Sequence, residues 1–237
     1  MDLFSELITA VQDDLTVGNE SSLFPLALVK RAINRAYRKA SSLFRWPELE
    51  DAKKTSTVIS QEYYDFPTNW QTDSIWRLEV DGDQWGEDPD GSPMSYEDYL
   101  EWRANDDNDN STSKKWSVQY RRYFIYPVPT TNGTNNIVVW GQRVPDALSA
   151  DGDVTIFSYS QPECNEAIVL EAVGILKAKG ENEKSSGFKS AEAKQLLATA
   201  WGKIKQNQAK YEKTQPFFNV NDMFGPSNVK QITGNFI

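Results

Sequence analysis

The sequence predicts an α+β protein, in which a helical bundle is split in sequence around an inserted antiparallel β-sandwich-like domain. Apolar residues recur at helical spacing near both ends of the 237-residue chain. In the middle, β-branched and aromatic runs alternate with turn signals. The chain is long enough to bury a substantial core. We therefore expect four segments, which are an N-terminal helical half (1–50), an acidic β domain (51–160), a C-terminal helical half (161–213) and an extended, aromatic-rich tail (214–237).

Two amphipathic helices are predicted before the β domain. The second begins within Ser22–Pro25 and ends at Trp46-Pro47, because the residue before a proline is disfavoured in the α conformation. The first ends ahead of Gly18 and carries one apolar stripe at helical spacing. The members of that stripe are Leu3, Phe4, Leu7, Ile8, Val11 and Leu15.

The second helix also carries a line of positive charge, which we call the basic stripe: Arg31, Arg35 and Arg38. Lys30 and Lys39 lie on the same face. Such a stripe could contact a phosphate backbone, but a charged helix face is more often solvated or paired with acids of a neighbouring subunit. We expect the basic stripe to make inter-subunit contacts or contacts with another protein.

The β domain is predicted from short runs that suit a pleated, half-buried surface. Ser95, with Asp98 three residues later, indicates the start of a short helix packed on the sheet. The stretch Trp116–Tyr126 and the run Ile137–Trp140 are expected to form a long-looped hairpin, because Asn132-Gly133 favours a turn. The other predicted strands are Thr55–Ile59, Glu62–Phe66 and Ser74–Val80.

A central helix is predicted between Pro162 and Gly180, since its apolar residues cover a wide face. A fourth helix, from about Ser190 to Lys213, should pack beside it, and the N-terminal helices should supply the remaining cover. The tail contains prolines and glycines that break helices. It nevertheless keeps large apolar side chains that need a surface to bury against. These are Phe217, Phe218, Met223, Phe224, Phe236 and Ile237.

Composition argues against an enzyme. Histidine is absent and Cys164 is the single cysteine, which removes Ser-His and Cys-His nucleophiles and nearly all zinc sites. We expect no catalytic residue, no cofactor and no metal. The S-x-x-K matches at Ser111–Lys114 and Ser186–Lys189 lack their companion motifs. The start of a calcium loop is matched without its glycine or glutamate by Asp106, Asn108 and Asn110.

The net charge of −9 is concentrated in the middle of the chain, where residues 48–160 contain 21 Asp and Glu against 9 Lys and Arg. Such a domain repels nucleic acid, so direct DNA recognition is not expected. No run approaches the length of a membrane span, and the N-terminus lacks a basic signal segment. One cysteine cannot form an internal disulfide, which fits folding in a reducing cytoplasm.

The residues also allow a function of another class, that of a carbohydrate-binding or glycan-active β-sandwich protein of a host-recognition structure. Carboxylates are plentiful enough to supply an acid pair. However, aromatic residues at strand spacing are usually core, and a sugar-binding module needs neither flanking helices nor an aromatic tail. The tryptophans on which this alternative depends are Trp70, Trp76, Trp85, Trp116 and Trp140.

Several short motifs occur in a fixed order along the chain. They are Trp46-Pro47, Tyr64–Pro67 followed by Trp70, Tyr126–Pro129, Val138–Gly141, Val144–Leu148 and the helix that begins at Pro162. With these motifs the chain, from about residue 25 to residue 212, resembles the head-to-tail connector (adaptor) proteins of tailed bacteriophages.

The resemblance implies a non-catalytic virion protein at the head–tail interface, assembled in the bacterial host. Copies would form a ring, usually twelve-fold, beneath the portal. The ring would extend the channel through which DNA passes without specific binding, and it would offer a platform to tail or nozzle proteins. C-terminal extensions in this family tend to reach the portal, so the apolar residues of the tail are expected to dock there or on a neighbouring copy.

Overall fold

A computed structural model describes residues 3–16, 24–72, 74–86, 91–105, 113–179 and 183–208. It confirms the α+β class, because these residues form helices together with two antiparallel sheets. The helices are α1 (Phe4–Thr16), α2 (Leu26–Ser42), α3 (Tyr96–Ala104), α4 (Glu163–Lys179) and α5 (Glu183–Gln208). The strands are β1 (Glu50–Thr55), β2 (Tyr63–Asp65), β3 (Arg77–Val80), β4 (Asp83–Trp85), β5 (Lys115–Gln119), β6 (Arg122–Tyr126) and β7 (Ile137–Gln142).

The helical bundle is built around α4, which packs against α5, α2 and α1. Ile168, Val173 and Leu176 of α4 are fully buried, as are Val29 and Ile33 of α2. Burying each such side chain contributes about 1.5–3 kcal/mol before ordering costs. The helices before the β region and those after it thus share one core, and the bundle is split in sequence as predicted.

α2 ends at Ser42, four residues before the Trp46-Pro47 pair at which the sequence predicts its end, and Trp46 packs back onto its last turn. Its ring is completely buried, with its centroid 4.8 Å from that of Phe157 and 5.7 Å from that of Trp201. Its indole Nε1 donates to the carbonyl of Ala40 at 3.0 Å, inside the last turn of α2. Pro47 then opens a single 3-10 turn that leads into β1.

The segment after β7 returns to the helices. The Asn34 side chain donates to the carbonyl of Leu148 at 2.9 Å and accepts from its amide at 2.8 Å. Leu148 and Phe157 are buried in the helical core, although the predicted division assigns residues 51–160 to the β domain. The division of the chain at residues 50, 160 and 213 stays a prediction.

The two sheets share a second apolar core. The strand order is β1-β7-β3-β4 in the larger sheet and β2-β6-β5 in the smaller one. Leu78 and Val139 from the first and Trp116 and Ile125 from the second are all buried in this core. Gly141 of β7 lies against Trp70, where a Cβ would come within 2.2 Å of a ring carbon. Glycine lets the backbone approach the ring this closely.

The long hairpin predicted from Trp116–Tyr126 to Ile137–Trp140 is wrong. The first run folds back on itself as β5 and β6, while β7 pairs with β1 and β3. The β5–β6 turn contains Tyr120 at φ 54°, a conformation uncommon outside glycine, asparagine and aspartate, so the sequence gives no turn signal there. Arg121 holds the turn, since its guanidinium donates to the carbonyls of Pro67 at 2.8 Å and Trp70 at 3.1 Å.

Other boundaries also differ from those predicted. β1 lies at Glu50–Thr55 instead of Thr55–Ile59 because its polar residues pair along the whole of β7, and this edge strand shows no apolar alternation. β4 was missed. α5 begins at Glu183 instead of Ser190, since packing against α4 overrides the weaker helix propensity of Ser185, Ser186 and Gly187. The predicted end of this helix, at Lys213, lies outside the described residues.

The predicted short helix is confirmed as α3. The Ser95 hydroxyl accepts the amide N–H of Asp98 at 3.1 Å, as an N-cap should. Tyr99 is its one buried residue. Tyr96 and Trp102, both partly buried, add ring contacts with Phe124 at 4.9 Å and Tyr126 at 5.1 Å, so α3 packs on the smaller sheet through its aromatic side.

The β region caps the C-terminal end of α2. The last carbonyls of a helix have no partner within the helix. The buried Gln142 of β7 donates its amide to the carbonyl of Ser41 at 2.9 Å and to that of Phe44 at 3.0 Å. Gln71 adds a bond to Ser41 at 3.2 Å. The helical and β parts are therefore joined by side-chain hydrogen bonds at one helix end.

Replacing Gln142 with alanine should lower the free energy of unfolding by about 1–3 kcal/mol, because buried carbonyls lose their donors. Urea unfolding followed by tryptophan fluorescence measures the loss. Gln195→Ala, at an exposed position of α5, is the matched control and should stay within about 0.5 kcal/mol of the parent. Equal midpoints for both variants would contradict the capping role.

Candidate functional site

The basic stripe lies on the solvent face of α2, where Arg31, Arg35 and Arg38 are all exposed. Their spacing of four and three residues places them on one side of the helix. The opposite side is fixed to the core through Ile33 and Tyr37. The Tyr37 hydroxyl accepts the amide N–H of Ile156 at 2.9 Å, and burial raises the pKa of this phenol to about 12. The helix that carries the basic stripe is therefore fixed to the core on its opposite side.

The cations on this face divide into two groups. Lys30 pairs with Asp151 at 3.3 Å, and Lys39 pairs with the nearly buried carboxylate of Glu171. Among the described residues, none of the three arginines of the basic stripe forms an ion pair. The two lysines therefore form ion pairs within the chain, whereas the charges of the three arginines remain available to a partner.

A shallow groove of about 530 Å³ opens beside the basic stripe, between α2, α4 and the segment after β7; we call it the α2 groove. Arg35 and Arg38 form its basic edge. Val144 and Ile175, both partly buried, give it an apolar floor. Glu171 also lines it, but Lys39 neutralises that carboxylate. The groove is therefore apolar inside with a net positive edge.

Sequence reasoning found the arginines of this site but missed its floor. Val144 follows β7 and Ile175 lies in α4, so only the tertiary fold brings them to α2. Neither belongs to a pattern that marks a surface groove, and no sequence signal could have identified them.

The S-x-x-K match at Ser186–Lys189 lies within the first two turns of α5. Lys189 is paired with Asp14 of α1 at 3.1 Å, so it ties two helices together. The match at Ser111 and the residues Asp106, Asn108 and Asn110 lie outside the described residues. Within the described ranges, no three His, Cys, Asp or Glu side chains are grouped so that they could hold a metal ion.

Three of the five tryptophans considered for sugar binding are core residues, namely Trp70, Trp85 and Trp116. The other two are covered by cations. The Arg45 guanidinium lies 3.7 Å above the ring of Trp76, and that of Arg77 lies 4.9 Å above the ring of Trp140. Three of the five rings are therefore buried, and a guanidinium occupies one face of each of the other two.

Cys164 is fully buried in the helical core. Burial, with the negative charges of Glu163 and Glu48 nearby, raises the pKa of its thiol to about 12. The thiol is therefore protonated at neutral pH and out of reach of reagents.

The tail residues Phe217, Phe218, Met223, Phe224, Phe236 and Ile237 lie outside the described residues, so their docking role stays a prediction. None of the helices in the described part is long and apolar enough to cross a membrane.

Lys39 forms an ion pair within the described part of the chain and Arg35 does not, so replacing these two side chains should affect stability differently. Lys39→Met should destabilise the chain by about 1–3 kcal/mol, because the Glu171 carboxylate loses its partner in a nearly buried position. Arg35→Met, on the same helix face, should change stability by no more than about 0.5 kcal/mol. Chemical denaturation of both variants measures the difference. Similar losses in the two variants would show that Arg35 also serves the fold.

A comparison with models of protein families finds a match over residues 2–217 to the family described as SU10 adaptor protein. No curated protein matches the chain significantly. The matched region covers nearly the whole chain, including the basic stripe and both sheets. The chain therefore belongs to the SU10 adaptor protein family, in agreement with its resemblance to the head-to-tail adaptors of tailed bacteriophages.

Proposed function

We propose that this adaptor is a structural, non-catalytic virion protein that forms a ring beneath the portal, extends the DNA channel and provides the platform to which the tail or nozzle proteins attach. The observation that carries this proposal is the family match over residues 2–217. A twelve-fold ring is the form that the resemblance implies. The chain would be made in the host cytoplasm and would act at the head–tail interface.

The exposed side of α2 supports a role in assembly. A ring needs two different lateral surfaces on each copy, because head-to-tail contacts close only when one patch meets its complement on the next copy. The basic stripe supplies one such patch, since its arginines are exposed and have no ion-pair partner among the described residues. It is the inter-subunit surface in this proposal.

The tail is the proposed portal-docking segment. Phe217, Phe218 and Phe224 would each contribute about 1.5–3 kcal/mol on burial, before the cost of ordering the chain. A docking tail would make ring formation depend on the portal. The acidic β domains of neighbouring copies repel each other, and salt screens this repulsion only beyond about 8–10 Å. The free chain would then be monomeric or weakly associated.

DNA would pass through the ring without being held. Each phosphate neutralised by lysine or arginine releases counterions and strengthens binding. The excess of 21 acids over 9 bases in residues 48–160 favours the opposite behaviour. Part of that acidic surface would line the DNA path or repel misplaced partners, while the basic stripe faces protein.

The sugar-binding alternative has less support. It needs an open aromatic platform, and the five tryptophans that suggested it are buried or covered by arginine. It also predicts a chain that binds glycans and stays monomeric beside the portal, whereas the adaptor proposal predicts a ring on the portal.

The full-length chain should co-sediment with the portal protein encoded in the same genome, and electron microscopy should show rings on the portal. A chain that ends after Lys213 should keep nearly the same thermal midpoint but lose portal binding, because it lacks the apolar tail. Sedimentation and thermal unfolding of the two chains provide the measurements.

The truncated chain is its own control for folding. A large fall in its thermal midpoint would mean that the tail folds back on its own helices. Failure of the full-length chain to bind the portal would contradict the adaptor proposal, and a glycan-binding monomer would replace it with the alternative.

Duplex DNA should bind only weakly to the purified chain, even at low salt, because the acidic domain repels phosphate. Filter-binding titrations of the parent chain and of the triple variant Arg31→Ala, Arg35→Ala, Arg38→Ala measure this. The two chains should give similar, weak binding. Tight, salt-sensitive binding that disappears in the variant would show that the basic stripe grips DNA.

A further inference from the structure

A second surface of the chain complements the α2 groove. It is the outward side of α3, which carries Glu97, Leu100 and Glu101. Leu100 is 44% exposed, and the two glutamates are exposed without an ion pair among the described residues. The surface is therefore an exposed apolar side chain between two available carboxylates.

α3 is held firmly enough to present this side. Tyr99, on the inner side, is fully buried, and its hydroxyl donates to a carboxylate oxygen of Glu62 at 3.1 Å. Arg103 pairs with the same carboxylate. Ser95 caps the first turn. With its inner side and its N-terminus fixed, the helix has little left to order on binding, which lowers the cost of docking.

The two surfaces match in charge, apolarity and spacing. Glu97 and Glu101 are four residues apart on one helix, and Arg35 and Arg38 are three apart on another, so each pair spans about 5–6 Å between Cβ atoms. Leu100 lies between the acids, as the apolar floor of the α2 groove lies beside the arginines. An apolar centre with a charged rim is typical of protein interfaces.

We propose that α3 of a second copy of this chain docks in the α2 groove, with Leu100 against Val144 and Ile175 and with Glu97 and Glu101 facing Arg35 and Arg38. This inference rests on the proposed ring and names the contact between its copies. The α2 groove and α3 are different surfaces of the same chain, so the contact is head-to-tail. In a closed ring each copy makes it twice, once with its groove and once with its α3.

The contact should be weak between two free copies. A stable interface buries about 1,200–2,000 Å² of accessible surface, and a single helix docked in one groove buries less. Its ion pairs lie at the rim and are weakened by salt. Closure of the ring, or the portal, would add the remaining stability.

Site-specific cross-linking tests the contact directly. Cys164 is buried, so the new thiols react alone. Ser42→Cys places a thiol beside the groove, and Ala104→Cys places one on the exposed last turn of α3. The two full-length variants, one carrying an affinity tag, are mixed under the conditions that give rings and treated with a short bismaleimide. We expect cross-linked pairs from the mixture and few from either variant alone.

Charge exchange supplies the specificity test. Glu97→Lys with Glu101→Lys in the Ala104→Cys chain should lower the cross-linked yield about tenfold or more, since rim charges of like sign now face each other. Arg35→Glu with Arg38→Glu in the Ser42→Cys chain should restore it. Glu166→Lys with Glu192→Lys, at exposed positions elsewhere, makes the same change in net charge and should leave the yield unchanged.

Each contrary result has a distinct meaning. Rings without the cross-link, or a cross-link that charge reversal does not affect, would overturn the α3 contact while the proposed function stands. Efficient cross-linking within the Ser42→Cys variant alone would assign the groove to a symmetric contact and would also overturn it. The absence of both rings and cross-links, with the portal present, would refute the proposed function as well.

Discussion

The unpaired carbonyls at the C-terminal end of α2 are the constraint on which the architecture depends. A buried helix end needs donors from elsewhere in the chain, and here they come from Trp46, Gln71 and Gln142. Two of these belong to the β region, so satisfying the helix also fixes how the sheets are attached to the bundle. β7 ends beside this helix end, and the residues after it return from there to the helical core.

That attachment fixes α2 from two directions. α2 is anchored on one side by its buried apolar residues and at its end by the β region. The opposite side then contributes little to the fold, and Arg35 and Arg38 have no ion pair among the described residues. The neighbouring Lys39 has the opposite role, because it compensates Glu171. One helix thereby carries both a residue that holds the molecule together and arginines that form no ion pair within its described part.

Sequence patterns predicted the features that depend on local periodicity. The α+β class, the split bundle and the central position of α4 follow from apolar spacing, and the three arginines follow from helical geometry. Features set by tertiary contact were missed. The Tyr120 turn carries no turn code, and the partner of Lys39 lies 132 residues away. The floor of the α2 groove, Val144 and Ile175, exists only once α2, α4 and β7 have come together.

In the proposed ring, the exposed side of α2 is a contact between copies of this adaptor. A cryo-electron microscopy reconstruction of the ring on its portal tests this most directly, because it shows what faces each side of α2. We expect Arg35 and Arg38 to lie at the boundary between adjacent copies, within ion-pair distance of carboxylates of the next copy. A reconstruction in which both arginines face open solvent or the DNA channel would contradict it.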